Sequence, residues 1–355
     1  MDRMIDLRSD TVTKPTDEMY QAIANAKLGD DVFREDPTVN KLEEKAAQIM
    51  GKEAGLLVPS GTMGNLVSIL TSCPRGTEIL LGNKSHTFYY EAGGISAFGG
   101  IHSRQLNNNN DGTINLDDIK SAIRANNVHF PKTSAIVLEN THNLCNGSPL
   151  LPEYIRDVAH IAKDNDVKLH IDGARIFNAA VSLDVNVKDL VANADSVTFC
   201  LSKGLSAPIG SIICGSDKFI YNARRNRKAL GGGMRQAGII AAAGIVSLDK
   251  MIQQIHNDHE NAQLLVKGIS NIDGLSIDKN NIKSNILYFD IKKRRTLNAE
   301  LSRQTDNKDQ YPIDVVQDNI YFLETSPRRF RLVTHYGISR EDIENTLRML
   351  KGLLG

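Results

Sequence analysis

From about residue 38 to residue 215, short apolar runs alternate with amphipathic segments, and the runs are apolar at consecutive rather than alternate positions. Gly55–Val58, Glu78–Leu81, Ala135–Leu138, Val167–Ile171, Ser196–Cys200 and Ser211–Cys214 therefore read as strands covered on both faces. Between them, Val39, Leu42, Ala46 and Ile49 recur at helical spacing up to a stop at Gly51, and Leu66, Ile69 and Leu70 repeat the pattern after a glycine-containing turn. Strands alternating with helices imply a mostly parallel sheet flanked by helices, with ligands outside the carboxyl ends of the strands.

Beyond the helical pattern of Gln236–His256 the texture changes. Residues 257–276 read as a helical connection. They are followed by a strand (Ile286–Ile291), a helix (Leu297–Gln304), strand pieces near Ile320–Leu323 and Phe330–Thr334, and a last helix. That helix opens with Ser339 and Asp342 three positions apart, a capping box, and carries Ile343, Leu347 and Leu350 on one face. The expected division is an N-terminal segment and large domain over 1–256 and a small α+β domain over 257–355. With 355 residues, such a chain buries a core without disulfides or a structural metal.

Lys plus Arg and Asp plus Glu both number 42, so nothing in the charge favours nucleic acid or an anionic membrane surface. The four cysteines lack metal-ligand spacing and read as buried thiols. The opening MDRMIDLRSD has no continuous apolar run, so a secretory signal is not expected, and the uncharged stretch Ala237–Leu248 is too short to span a bilayer. A cytoplasmic protein follows as the expectation.

Three elements carry chemistry. Lys203 directly follows an apolar strand and precedes small residues and Pro208, a setting in which burial lowers the pKa of a lysine and suits it to a Schiff base. The plain alternative is a strand-end lysine reaching solvent. Asp172, in His170-Ile171-Asp172-Gly173-Ala174-Arg175, ends another buried strand and needs a cation or several donors to stay ionised. A protonated pyridine nitrogen would serve, as would an ion pair with Arg175. Pro59-Ser60-Gly61-Thr62-Met63-Gly64-Asn65 lies between strand and helix, where backbone N–H groups form an anion site, although Ser-Gly-Thr is also an ordinary cap. In one parallel sheet a strand-end lysine and a strand-end aspartate converge on one edge, which points to a pyridoxal phosphate (PLP) site.

The ordered motifs resemble those of the L-threonine aldolases, in the β-eliminating lyase branch of the fold-type I (aspartate aminotransferase-like) PLP enzymes. They are Ile5 to Thr11, Gly29-Asp30-Asp31, Glu35 to Asn40, Ser60 to Asn65, His86 with Glu91 to Gly94, Leu138 to His142, His170 to Arg175, Leu201 to Gly204, Gly231 to Gln236 and Arg331 to His335. The resemblance implies an α/β fold-type I PLP domain with a mostly parallel sheet and a small α+β C-terminal domain. It assigns Lys203 to covalent attachment of PLP, Asp172 to the pyridine nitrogen, Gly61 and Thr62 to the phosphate, and His86 to stacking on the ring. Ser9, Arg175 and Arg331 are implied for the substrate carboxylate. His129 matches a histidine near the substrate hydroxyl, and Lys228 and Arg235 match basic residues that reach the cofactor of a neighbouring subunit. A homotetramer is implied. Where many relatives have tyrosine, this chain has Phe33, and any hydroxyl contact there is lost.

The expected reaction is retro-aldol cleavage of L-threonine and L-allo-threonine to glycine and acetaldehyde, with His86, His129 or an ordered water taking the hydroxyl proton. Another PLP-dependent lyase or transaminase on the same scaffold is the first rival, and a binding protein without catalysis the second. His256, His259 and Glu260 are not in the H-E-x-x-H order of a zinc protease and read as a solvated face. Glu91 has no assigned role.

Overall fold

A computed structural model of the chain describes residues 4–292, 302–303 and 312–354. Two compact units divide it, one spanning 15–252 and the other combining 1–14 with 253–355.

The larger unit is built on a seven-stranded sheet. Its strands are β2 (Ala54–Val58), β3 (Glu78–Gly82), β4 (His102–Leu106), β5 (Thr133–Glu139), β6 (Lys168–Asp172), β7 (Ser196–Cys200) and β8 (Ser211–Gly215), with β1 (Ile5–Asp6) in the other unit. The spatial order is β2-β8-β7-β6-β5-β3-β4. Pairing is parallel from β4 through β7, while β8 runs antiparallel to both β7 and β2. Every residue of β3, β5, β7 and β8 is buried, as consecutive apolar positions require of strands covered on both faces. The edge strand β4, His-Ser-Arg-Gln-Leu, lacks that pattern and is half-exposed, and its polarity hides it from a hydropathy reading.

Local sequence places the helices. Asp36 caps Pro37–Met50 by accepting from Thr38 and Val39 N–H, and Gly51 ends it in the left-handed conformation (φ 64°). The buried residue of the last turn is Met50, one position beyond the expected Ile49. Ser60 caps Gly61–Ser72, and Gly64 lets that helix lie against the Thr198 side chain of β7.

The smaller unit has a mainly antiparallel sheet of β9 (Leu275–Ile277), β10 (Ile286–Ile291), β11 (Ser302–Arg303), β12 (Ile313–Gln317), β13 (Ile320–Ser326) and β14 (Arg329–Val333), in the order β11-β12-β13-β14-β10-β9. β1 adds to β13 in parallel, Ile5 opposite Ile320. Helices Ile255–Ile269 and Arg340–Leu354 supply Leu265, Ile269, Ile343 and Leu350 to its core beside Phe289, Phe322 and Phe330. The capping box forms: Ser339 N–H donates to Asp342 Oδ2 (2.7 Å) and Asp342 N–H to Ser339 Oγ (3.2 Å). The expected boundary at 256/257 therefore moves to 252/253. The N-terminal segment, expected with the large domain, joins the smaller unit because its strand pairs there. The helix expected over Leu297–Gln304 lies outside the described residues apart from Ser302 and Arg303, which form β11.

Candidate active site

The larger unit's sheet delivers its chemistry at the carboxyl edge of the strands. Buried Asp172 ends β6. Its Oδ2 accepts from Asn65 Nδ2 (2.9 Å) and Thr87 Oγ1 (3.4 Å), and its Oδ1 from Ala174 N–H (3.2 Å). An aspartate at this depth requires such donors. Arg175 is buried and starts the helix Ile176–Leu183.

Asn65 lies a turn inside the Gly61–Ser72 helix, and its amide joins two carboxylates, since Nδ2 also donates to Glu91 Oε1 (2.8 Å). On the other side, Asn65 Oδ1 faces His170 Nε2 (3.2 Å), and His170 Nδ1 faces Ser196 Oγ (2.9 Å). Burial pulls the His170 pKa down to about 4, so its ring is neutral at pH 7. His86 starts a short helix after β3, its N–H donating to Glu139 Oε2 at the end of β5 (2.7 Å). Its Nδ1 lies 2.9 Å from Glu91 Oε1.

A ring nitrogen of His86 and carboxylate oxygens of Glu91 and Asp172 fall within 4.8 Å of one another. Two carboxylates so close resist simultaneous ionisation. Burial raises the Glu91 pKa, and the Asp172 charge adds to the rise against hydrogen bonds from His86 and Asn65. For His86, burial works downward, but the Glu91 hydrogen bond and the charges of Asp172 and Glu91 outweigh it and the net shift is up; the charge of Lys203 opposes them. Lys203 follows β7 by three residues and is half-buried rather than enclosed.

The anion side is built at the Gly61–Ser72 helix. Ser60 Oγ accepts from Met63 N–H (3.2 Å), while the N–H groups of Gly61 and Thr62 lie in the first turn, where no helical carbonyl reaches them. A Cβ on Gly61 would meet Cys200 Sγ at 2.8 Å, and 3.7 Å from it stands Ser211 Oγ, buried without a hydrogen-bond partner. An orphaned hydroxyl and free helix N–H groups suit a phosphate, and the crowded carboxylates suit a protonated ring nitrogen. The residues present fit PLP.

Asn65, Thr87, Glu91, Glu139, His170 and Ser196 are members of this cluster with no role assigned from sequence. Asn65, Glu91, Glu139 and His170 fall inside the family motifs, which was the one available signal. His129 lies on an exposed loop leading into the amino end of β5, away from the carboxyl edge, and its N–H bonds only Asn127 Oδ1 (3.0 Å). Exposed Lys228 packs beside Gly233, and Arg235 pairs with Asp30 (3.0 Å), while the neighbouring Asp31 pairs with buried Arg227 (2.6 Å). The Gly-Asp-Asp motif thus anchors its own loop, on which Phe33 is exposed. In the smaller unit, Ser9 caps the turn Asp10–Val12 and Arg331 Nη2 donates to the Arg8 carbonyl (2.9 Å), so Ser9 and Arg331 stand together there.

The β-eliminating lyase family profile matches residues 6–292. Low-specificity L-threonine aldolase 1 of Arabidopsis thaliana is 45% identical over 348 residues, 97% of this chain and 95% of that protein. The low specificity L-threonine aldolase of Escherichia coli O157:H7 is 45% identical over 259 residues, 73% of this chain and 77% of its own. Among solved structures, the Leishmania major threonine aldolase superposes with a TM-score of 0.78 over 99% of this chain and 100% of that one, at 17% identity, a likeness of fold.

Proposed function

The chain belongs to the β-eliminating lyase family, and from that premise we propose that it cleaves L-threonine and L-allo-threonine to glycine and acetaldehyde with PLP as cofactor. The observation that supports this most is the hydrogen-bonded, buried Asp172 at the same sheet edge as Lys203 and the Gly61–Thr62 turn. Bound PLP supplies an electron sink for the charge left at Cα when Cα–Cβ breaks.

Each residue has a part in that reading. Lys203 would hold the cofactor covalently. Asp172 would face the pyridine nitrogen and favour its protonated form. Gly61 and Thr62 would donate to the phosphate, and His86 would lie against the ring. Ser9, Arg175 and Arg331 take the substrate carboxylate, an assignment resting on the family pattern and on the fit of guanidinium to carboxylate. Fixing the carboxylate selects which Cα bond is aligned for cleavage. Between the two histidines, His86 is the better base for the β-hydroxyl proton, because it stands at the carboxyl edge with Asp172. Lys228 and Arg235 serve the cofactor of a neighbouring subunit in a homo-oligomer, a tetramer by resemblance. No single helix among the described residues is long and apolar enough to cross a membrane, in keeping with a proposed cytoplasmic location.

The test is an absorbance spectrum of the PLP-loaded protein before and after L-threonine, with product analysis. Acetaldehyde and glycine are expected. Ammonia or a keto acid would identify a different PLP reaction on this scaffold, and a protein that stays colourless with PLP would overturn the reading.

A further inference from the structure

The hydrogen bonds around Asn65 run in one direction. Its amide nitrogen must face the two carboxylates, because an amide oxygen between Glu91 and Asp172 would be repelled by both. Asn65 Oδ1 then needs a donor, which makes His170 the Nε2–H tautomer and leaves Nδ1 to accept from the Ser196 hydroxyl. Glu91 Oε1, already accepting from Asn65, is a poor place for a proton, so the bond to His86 is donated by His86 Nδ1–H. His86 Nε2 makes no hydrogen bond among the described residues.

We propose that Glu91 is a positioning residue: its carboxylate holds His86 Nδ1–H and so presents Nε2 as the acceptor of the substrate's β-hydroxyl proton. Asn65, itself oriented by His170, donates to that carboxylate and to Asp172 alike and so fixes the two relative to each other. The proposal rests on the aldolase reading above. In the step, the hydroxyl proton passes to Nε2, the O–H electron pair becomes the second bond of the aldehyde carbonyl, and the Cα–Cβ pair stays with Cα. The returned proton completes glycine. The charged and titratable groups facing His86 are Glu91 and Tyr90 on its own segment, Asp172 from β6, Glu139 from β5 and Lys203 after β7.

Glu91→Gln separates charge from shape, since the amide oxygen can still accept from His86 and Asn65. The readouts are the His86 titration, followed by NMR in the full chain with and without PLP and assigned by its loss in His86→Asn, and the pH profile of kcat/KM. The expected result is a His86 midpoint lower by about one pH unit or more, an acid limb displaced the same way, and kcat/KM near pH 7 reduced about tenfold. An unmoved midpoint and limb would overturn the proposal. Glu91→Asp, which keeps the charge but shortens the reach, should retain part of the raised titration and still lose turnover; wild-type kcat/KM in that variant would equally overturn it. A wild-type holoenzyme that releases no acetaldehyde refutes the aldolase reading itself, whereas normal wild-type turnover with an unmoved Glu91→Gln midpoint refutes only the role of Glu91.

Discussion

Replacing Asp172 with asparagine preserves shape and the Ala174 and Thr87 contacts but removes the charge that a pyridinium needs. The Asp172→Asn protein should bind PLP and lose about 10²- to 10³-fold in kcat, the scale of a deleted electrostatic stabiliser; steady-state kinetics with the bound cofactor measured in parallel check this. Lys203→Ala should fold normally and lose turnover by about 10³-fold or more, with no PLP retained after borohydride reduction, which mass spectrometry reads directly. Both residues were legible in the sequence because each ends an apolar strand, where a charged side chain stands out. The groups that hold them in place were not. Asn65 meets Glu91 across 26 positions and Asp172 across 107, and neither distance leaves a periodic trace in a single chain. Lys203 also shows how far such reading reaches: its place after a buried strand was clear, but not that it is only partly enclosed.

The helix Ile255–Ile269 carries a burden that its pattern conceals. Asp258 is 3% exposed, its Oδ2 has no hydrogen-bond partner, and burial, reinforced by the Asp10 charge, pushes its pKa from 3.8 up to about 8. The native state therefore keeps a proton that the unfolded chain releases. Stability from this group is complete below about pH 4, falls as pH rises by up to about 1.4 kcal/mol per pH unit, and is fully lost above about pH 8. Asp258→Asn should flatten that slope and be more stable than wild type at pH 8; thermal or urea unfolding at pH 5, 6.5 and 8 measures it. Most other elements announced themselves. Ser196–Cys200 and Ile286–Ile291 agree with expectation to the residue, each a largely apolar run entered from a polar residue, Asp195 and Asn285. The polar edge strand β4 and the two-residue β1 did not, since pairing partners rather than composition make them strands.

At the scale of the whole molecule, the larger unit leaves Phe33 70%, Tyr221 68%, Phe98 65% and Tyr89 62% exposed, rings that a neighbouring subunit could cover. With Lys228 and Arg235 also outward, a homo-oligomer is the expected state. Sedimentation at assay concentration should give at least a dimer, and Lys228→Ala or Arg235→Ala should weaken PLP binding; a fully active monomer would refute the assembly. The order of strands carries another consequence. β2, which leads into the Ser60–Thr62 turn, touches the rest of its sheet through β8, the strand that comes last in the sequence of that unit. On the ribosome, β2 must wait some 150 residues for its one sheet neighbour, so a nascent chain lacking Ser211–Gly215 has a phosphate turn whose leading strand is unpaired and which lacks the Ser211 hydroxyl. Cofactor capture then reports that synthesis has passed the eighth strand, and a ribosome-arrested series should gain PLP abruptly at that length rather than by degrees.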